Sequence, residues 1–108
     1  MAGKVKELSA ENFDEFIKEG IAVVDFWAAW CGPCRMMSPI FEKAAETLSS
    51  QANFGKLNVD EFPEIAQRFQ IMSIPTIAFF KDGQLEDMLI GVSPESELKA
   101  KISELSSR

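Results

Sequence analysis

Hydrophobic periodicity switches back and forth along the whole chain between a helix period and a strand period. Residues 4–8 form a short extended stretch with Val5 at its centre. Ser9 can cap a helix whose apolar face is Phe13, Phe16 and Ile17, at i, i+3, i+4 spacing, and Gly20 ends it. Residues 21–28 are apolar on both parities: Ile21, Val23 and Trp27 on one, Ala22, Val24 and Phe26 on the other. Such a segment reads as a central strand covered on both faces. After Cys31 the helix period returns, with Met37, Ile40, Phe41, Ala44 and Leu48 as the stripe. Pro39 should kink that helix, because its ring removes one backbone donor.

The second half repeats the alternation. Residues 54–59 read as a strand, and residues 60–69 as a short helix with Pro63 in its first turn. Residues 76–81 are apolar and extended, and Lys81-Asp82-Gly83-Gln84 signals a hairpin into a last strand over residues 85–90. Ser93 is the expected cap of a final helix, with Pro94 at its first position and Leu98, Ile102 and Leu105 facing inward. The order is β-α-β-α-β-α-β-β-α. Early crossovers imply parallel strands and the closing hairpin adds antiparallel ones. The prediction is an α/β fold, a mixed five-stranded sheet between helices on both faces, in one domain spanning residues 1–108.

Composition narrows the function more than the fold. At 108 residues, 46% apolar and 26% charged, the chain has the make-up of an ordinary globule. A formal charge of −6 argues against nucleic acid or an anionic membrane as partner, since both need a basic face. No apolar stretch is long enough to span a bilayer. No hydrophobic segment follows Lys4 and Lys6, so no secretory signal is expected and a cytoplasmic location is. The absence of histidine rules out Ser-His-Asp and Cys-His nucleophiles and mixed Cys/His zinc sites.

The chemistry gathers at Trp30-Cys31-Gly32-Pro33-Cys34, which holds both cysteines of the chain. At a helix N-terminus the unpaired N–H groups and the positive dipole end favour the Cys31 thiolate, the nucleophilic form. Cys34 lies one turn on, on the same face and deeper. Cys31 is therefore expected as the exposed attacking thiol and Cys34 as the sheltered resolving one. Three blander readings compete. A structural staple closing so short a loop contributes only about 2 kcal/mol. Half a zinc site would need a metal-bridged dimer. Two incidental buried cysteines leave Gly32 and Pro33 unexplained. The Cys-X-X-Cys spacing in a βαβ context favours a redox dithiol. Gly32 and Pro33 add no positive charge that would favour the reduced thiolate form, so the centre should be reducing.

Other residues attach to this motif. Asp25 sits in an otherwise apolar strand six residues before Cys31. Burial should raise its pKa and make it a proton acceptor for Cys34, the alternative being a structural carboxylate. Lys56 is either its charge partner or a solvated edge lysine. Pro75 is either a plain proline at the start of a strand or a cis one. Trp27 reads as core, Trp30 as a shield over the dithiol or a rim residue, and Met36 and Met37 as packing residues.

In these residues the chain closely resembles the thioredoxin family, over essentially its whole length. The Trp30–Cys34 motif, Asp25, Lys56, Pro39, Ser73-Ile74-Pro75-Thr76 and Gly91 fall in order where that family's pattern has them. The resemblance implies strand order 1-3-2-4-5 with four flanking helices, strands 4 and 5 antiparallel to the rest, and a cis Pro75 against the dithiol. It implies a substrate groove of Trp30, Gly32, Pro33, Ile74, Pro75, Gly91 and Val92. It also implies general protein-disulfide reduction by the Cys31/Cys34 couple, with Asp25 transferring the proton and no bound cofactor. The implied partners are disulfide-containing proteins and a separate thioredoxin reductase, flavin- or ferredoxin-linked, acting on a monomer. Phe69 stands where a tyrosine is common. Met72, where a basic residue is common, and Val92, where alanine is frequent, also depart from the usual pattern, which bears on partner preference; Ser73 stands where glycine or serine is common. Two rival functions stand beside this: a disulfide oxidase or isomerase, and a binding module whose cysteines are dispensable.

Overall fold

The structure, a computed structural model, describes residues 4–108. Residues 1–3, the start of the segment expected to carry no signal, lie outside the described residues. The elements follow the predicted order: β1 (Val5–Glu7), α1 (Phe13–Ile17), β2 (Ile21–Trp27), α2 (Gly32–Leu48), β3 (Asn53–Asn58), α3 (Pro63–Arg68), β4 (Thr76–Lys81), β5 (Gln84–Ile90) and α4 (Glu95–Ser106).

The strands form one sheet in the order β1-β3-β2-β4-β5. β1, β3 and β2 are mutually parallel, and β4 runs antiparallel to β2. β5 is antiparallel to β4 alone and so runs with β2, which corrects the expectation that both last strands oppose the rest. The cause is local. Asp82 (φ 50°) and Gly83 (φ 88°) form a two-residue turn, which reverses the chain a second time.

Two helices cover each face. Met37, Phe41, Ala44, Ala45 and Leu48 of α2 and Leu98, Ile102 and Leu105 of α4 pack on Ile21, Val23, Phe54, Ile77 and Phe79. On the other face Phe13 and Ile17 of α1 and Ile65 and Ala66 of α3 pack on Ala22, Val24, Phe26, Leu57, Ala78 and Phe80. Each buried Leu, Ile, Met or Phe contributes about 1.5–3 kcal/mol. The doubly apolar β2 thus has the central position its sequence predicts. Strand alternation then sets the site. Ile21 and Val23 face α2 and α4, so Asp25 shares their side. Phe54 faces the same way, so Lys56 does too, in register beside Asp25.

Both predicted serine caps are displaced. α1 begins at Phe13. Ser9 instead opens the preceding turn, its Oγ accepting from the Glu11 N–H at 3.3 Å and its carbonyl from the Phe13 N–H at 3.1 Å. Ser93 is buried and does not cap α4. Its hydroxyl donates to the Gly91 carbonyl at 3.4 Å, and Pro94 takes the N-cap position. α2 continues through Pro39, whose ring is exposed.

Candidate active site

Cys31 is the N-cap of α2, in extended conformation (φ −88°, ψ 113°), and Pro33 lies in the first turn. Its Sγ accepts a hydrogen bond from the Cys34 N–H at 3.1 Å. Helix geometry sets Cys34 one turn inside, with the two Cα atoms 5.2 Å apart, and the sulfurs are joined in a disulfide. This is the oxidised state of the pair. In it the two cysteines are equally buried, each 4% exposed, so the expected contrast of an exposed Cys31 and a sheltered Cys34 is absent. Ala28 joins both in a small apolar cluster, with Trp27, Val59 and Ile74 against it.

The cysteines differ in what they face. Cys31 Sγ lies 3.9 Å from the Ile74 carbonyl oxygen, beside the cis Ile74–Pro75 bond. Pro75 is buried and is tied by its carbonyl to the Gly91 N–H at 2.9 Å. Gly91 holds φ 91°, a conformation that favours glycine. Cys34 instead lines a pocket of about 120 Å³ together with Asp25, Trp27, Ala28, Ala29, Arg35, Ser38 and Lys56.

Asp25 is 4% exposed, and its Oδ1 receives no hydrogen bond from the described residues. Burial pushes its pKa up from 3.8 to about 7, against the opposing pull of the Lys56 charge. Lys56 acts on it through this field. Its own ion pair is with Glu7 at 3.4 Å, and its ammonium sits 5.5 Å from the centre of the Trp27 ring. Trp27, expected in the core, is half-buried with its indole N–H buried and unpartnered among the described residues. Trp30 stands at the rim, 68% exposed, its indole N–H donating to Asp60 Oδ2 at 2.8 Å.

The residues expected to form the groove, Trp30, Gly32, Pro33, Ile74, Pro75, Gly91 and Val92, lie at the end of the sheet where β2 and β5 finish and β4 starts. The exposed large hydrophobics among the described residues are Trp30, Met36, Met72, Ile90 and Val92. All belong to the segments that meet at this end. Met36, Met72 and Ile90 had not been singled out for the groove. Met37 is buried as expected, but Met36, one residue earlier, points to solvent. Ser38 was also missed, although its position four residues after Cys34 puts both on one helix face. Phe69, in place of a tyrosine, packs its ring on Phe13 and Phe80 with centroids 5.6 and 5.1 Å away.

The sequence model of the thioredoxin family matches residues 4–104. A thioredoxin from Staphylococcus saprophyticus is 45% identical over 94 residues, covering 87% of this chain and 90% of that protein. One from Alicyclobacillus acidocaldarius is 46% identical over 99 residues, covering 91% and 94%. Among solved structures, a thioredoxin from Malassezia sympodialis superposes with a TM-score of 0.85 at 42% identity, covering 94% of this chain and 90% of that one. With its fold, its cis-proline loop and its Cys31–Cys34 disulfide, the chain belongs to the thioredoxin family and is a protein-disulfide oxidoreductase of the thioredoxin type, its own cysteine pair being the redox group.

Proposed function

We propose that this chain reduces protein disulfides with Cys31 as nucleophile, Cys34 as resolving thiol and Asp25 as the proton acceptor for Cys34. One observation carries the assignment: Cys31 faces the Ile74–Pro75 loop and the apolar rim, whereas Cys34 faces the pocket that contains Asp25. In the reduced protein the Cys31 thiolate attacks one sulfur of the substrate disulfide, forming a mixed disulfide and releasing the first substrate thiolate. The Asp25 carboxylate takes the Cys34 proton, and the Cys34 thiolate attacks Cys31 Sγ. The second substrate thiolate leaves; Asp25 gives up the Cys34 proton to one substrate thiolate, and the proton that Cys31 lost to solvent on ionising is taken up by the other. Two electrons have moved to the substrate, and the protein is left with the Cys31–Cys34 disulfide seen here.

Trp30, Gly32, Pro33, Ile74, Pro75, Gly91 and Val92 form the substrate groove in this reading, and the apolar exposure around it suits protein substrates. Lys56 opposes the upward shift of Asp25. A separate thioredoxin reductase, flavin- or ferredoxin-linked, returns the electrons. The chain acts as one domain, as a monomer and in the cytoplasm. No helix among the described residues is long and apolar enough to cross a membrane, and the charge of −6 disfavours nucleic acid.

Turnover of a protein disulfide by wild type, Cys31→Ser and Cys34→Ser tests the roles. Cys31→Ser should abolish turnover, and Cys34→Ser should accumulate a mixed disulfide through Cys31. Full turnover by Cys31→Ser would overturn the mechanism. Retained biological function in the double serine variant would favour a binding module instead.

A further inference from the structure

The pocket behind Cys34 contains more polar chemistry than the proposed proton step uses. β2 contributes Asp25, β3 contributes Lys56, and the first turns of α2 contribute Cys34, Arg35 and Ser38. Asp25 is the acceptor, Cys34 the donor, and Lys56 supplies opposing charge. Ser38 is half-buried and lies one helical turn beyond Cys34 on the same side. Its hydroxyl both donates and accepts. Asp25 Oδ1, buried and without a hydrogen bond from the described residues, is an acceptor of matching need. The pocket, about 120 Å³ and lined by Asp25, Lys56, Arg35 and Ser38 among apolar neighbours, has room for water that would join them.

We propose that Ser38 is a positioning residue for the proton step, its hydroxyl holding the Asp25 carboxylate through pocket water in line with the Cys34 thiol. The proposal rests on the Asp25 assignment above and adds a residue to it. The charges around Asp25 are few. Lys56 faces it from β3 and is itself paired with Glu7 of β1. Arg35 lies at the pocket on α2, and the β4 neighbour, Ile77, carries no charge. A hydroxyl donor stabilises the carboxylate over the acid. Its removal therefore raises the Asp25 titration further and leaves less carboxylate near neutral pH.

The test compares Ser38→Ala, Ser38→Thr and Ser38→Val. Thr and Val are nearly the same shape and differ by the hydroxyl. Two quantities are read: the Asp25 carboxyl titration by carbon NMR, and the pH profile of release from the mixed disulfide. Ala and Val should move the titration up by about 0.5–1 pH unit, the share of a charge-assisted hydrogen bond relayed by water. They should slow release by about 3- to 10-fold below the wild-type midpoint and converge with wild type at high pH. Thr should match wild type. An unmoved titration in Ala, or equal shifts in Thr and Val, would overturn the Ser38 assignment. In an Asp25→Asn background Ser38→Ala should leave the release profile unchanged. A moved titration together with unchanged release in Asp25→Asn alone would instead refute the proton role of Asp25.

Discussion

The two ends of the sheet treat polar groups in opposite ways. At the hairpin end, the Gly20 N–H donates to Asp82 Oδ1 at 2.8 Å and the Asp82 N–H to the Gly20 carbonyl at 2.9 Å. Lys81 closes the end of α4 by donating to the Leu105 and Arg108 carbonyls at 2.8 and 3.1 Å. Lys101 pairs with Asp87 at 2.5 Å, and Arg108 with Glu86 and Glu104 at 2.9 and 3.1 Å. At the dithiol end, Asp25 Oδ1 and the Trp27 indole N–H are buried without partners among the described residues, and apolar side chains face solvent. A buried polar group left unmatched costs about 1–3 kcal/mol, and a charged one more. One end is built for stability. The other is destabilised, and one of its two unmatched groups, Asp25, is the one that the proposed chemistry uses.

The contrast breaks most visibly at Asp25. Its raised pKa means that the folded state still holds a proton where the unfolded chain has lost it. Stability therefore falls as pH rises from 3.8 to about 7 and stays low above that. The amplitude expected from this shift is about 4 kcal/mol. Asp25→Asn should abolish this pH dependence and unfold in urea at higher concentration than wild type at about pH 8, with little difference near pH 4. It should also slow release of the mixed disulfide near neutral pH. An unchanged rate would leave Asp25 a purely structural carboxylate.

At the opposite end the sign reverses. Asp82→Ala removes the partner of the Gly20 N–H and puts alanine at φ 50°, so it should destabilise by about 1–2 kcal/mol in the same urea assay with turnover unchanged. Lys101→Met breaks a half-exposed pair, so its melting-temperature shift should be smaller and fade at high salt. Met72→Lys should not alter stability at all, because the side chain is 92% exposed. Its expected effect is a raised KM for protein disulfides with a small-molecule disulfide unaffected. If both substrates changed alike, Met72 would have no place in docking.

Element order, the central position of β2 and the two core faces were legible because hydrophobic periodicity carries them. Phe13, Ile17, Met37 and Phe41 are buried as their spacing predicts. The direction of β5 was misassigned although the Asp82-Gly83 turn was recognised, because a hairpin reverses the chain relative to its neighbour and not to the whole sheet. Ser9 and Ser93 failed as caps because each found another backbone partner, an outcome that depends on turn geometry rather than residue type. The cysteine pair was legible from spacing. The equal burial of its members was not, since it depends on Ile74 and Val59 arriving from distant segments. Met36 and Met37 differ in fate only by one step around α2. Ser38 was missed because a serine gains interest only once Asp25 and Cys34 are seen to share its pocket.

The direction of β4 has one more consequence. Because it runs against β2, its first residue, Thr76, pairs with Phe26, next to the end of the strand that leads into the cysteine motif. Pro75 therefore arrives beside Cys31 across a sequence separation of 43 between Ile74 and Cys31. Were β4 threaded the other way, the same proline would begin its strand at the hairpin end, roughly 20 Å off at about 3.3 Å per residue. The dithiol would then stand at an open strand end with no second wall against which a substrate chain could be held.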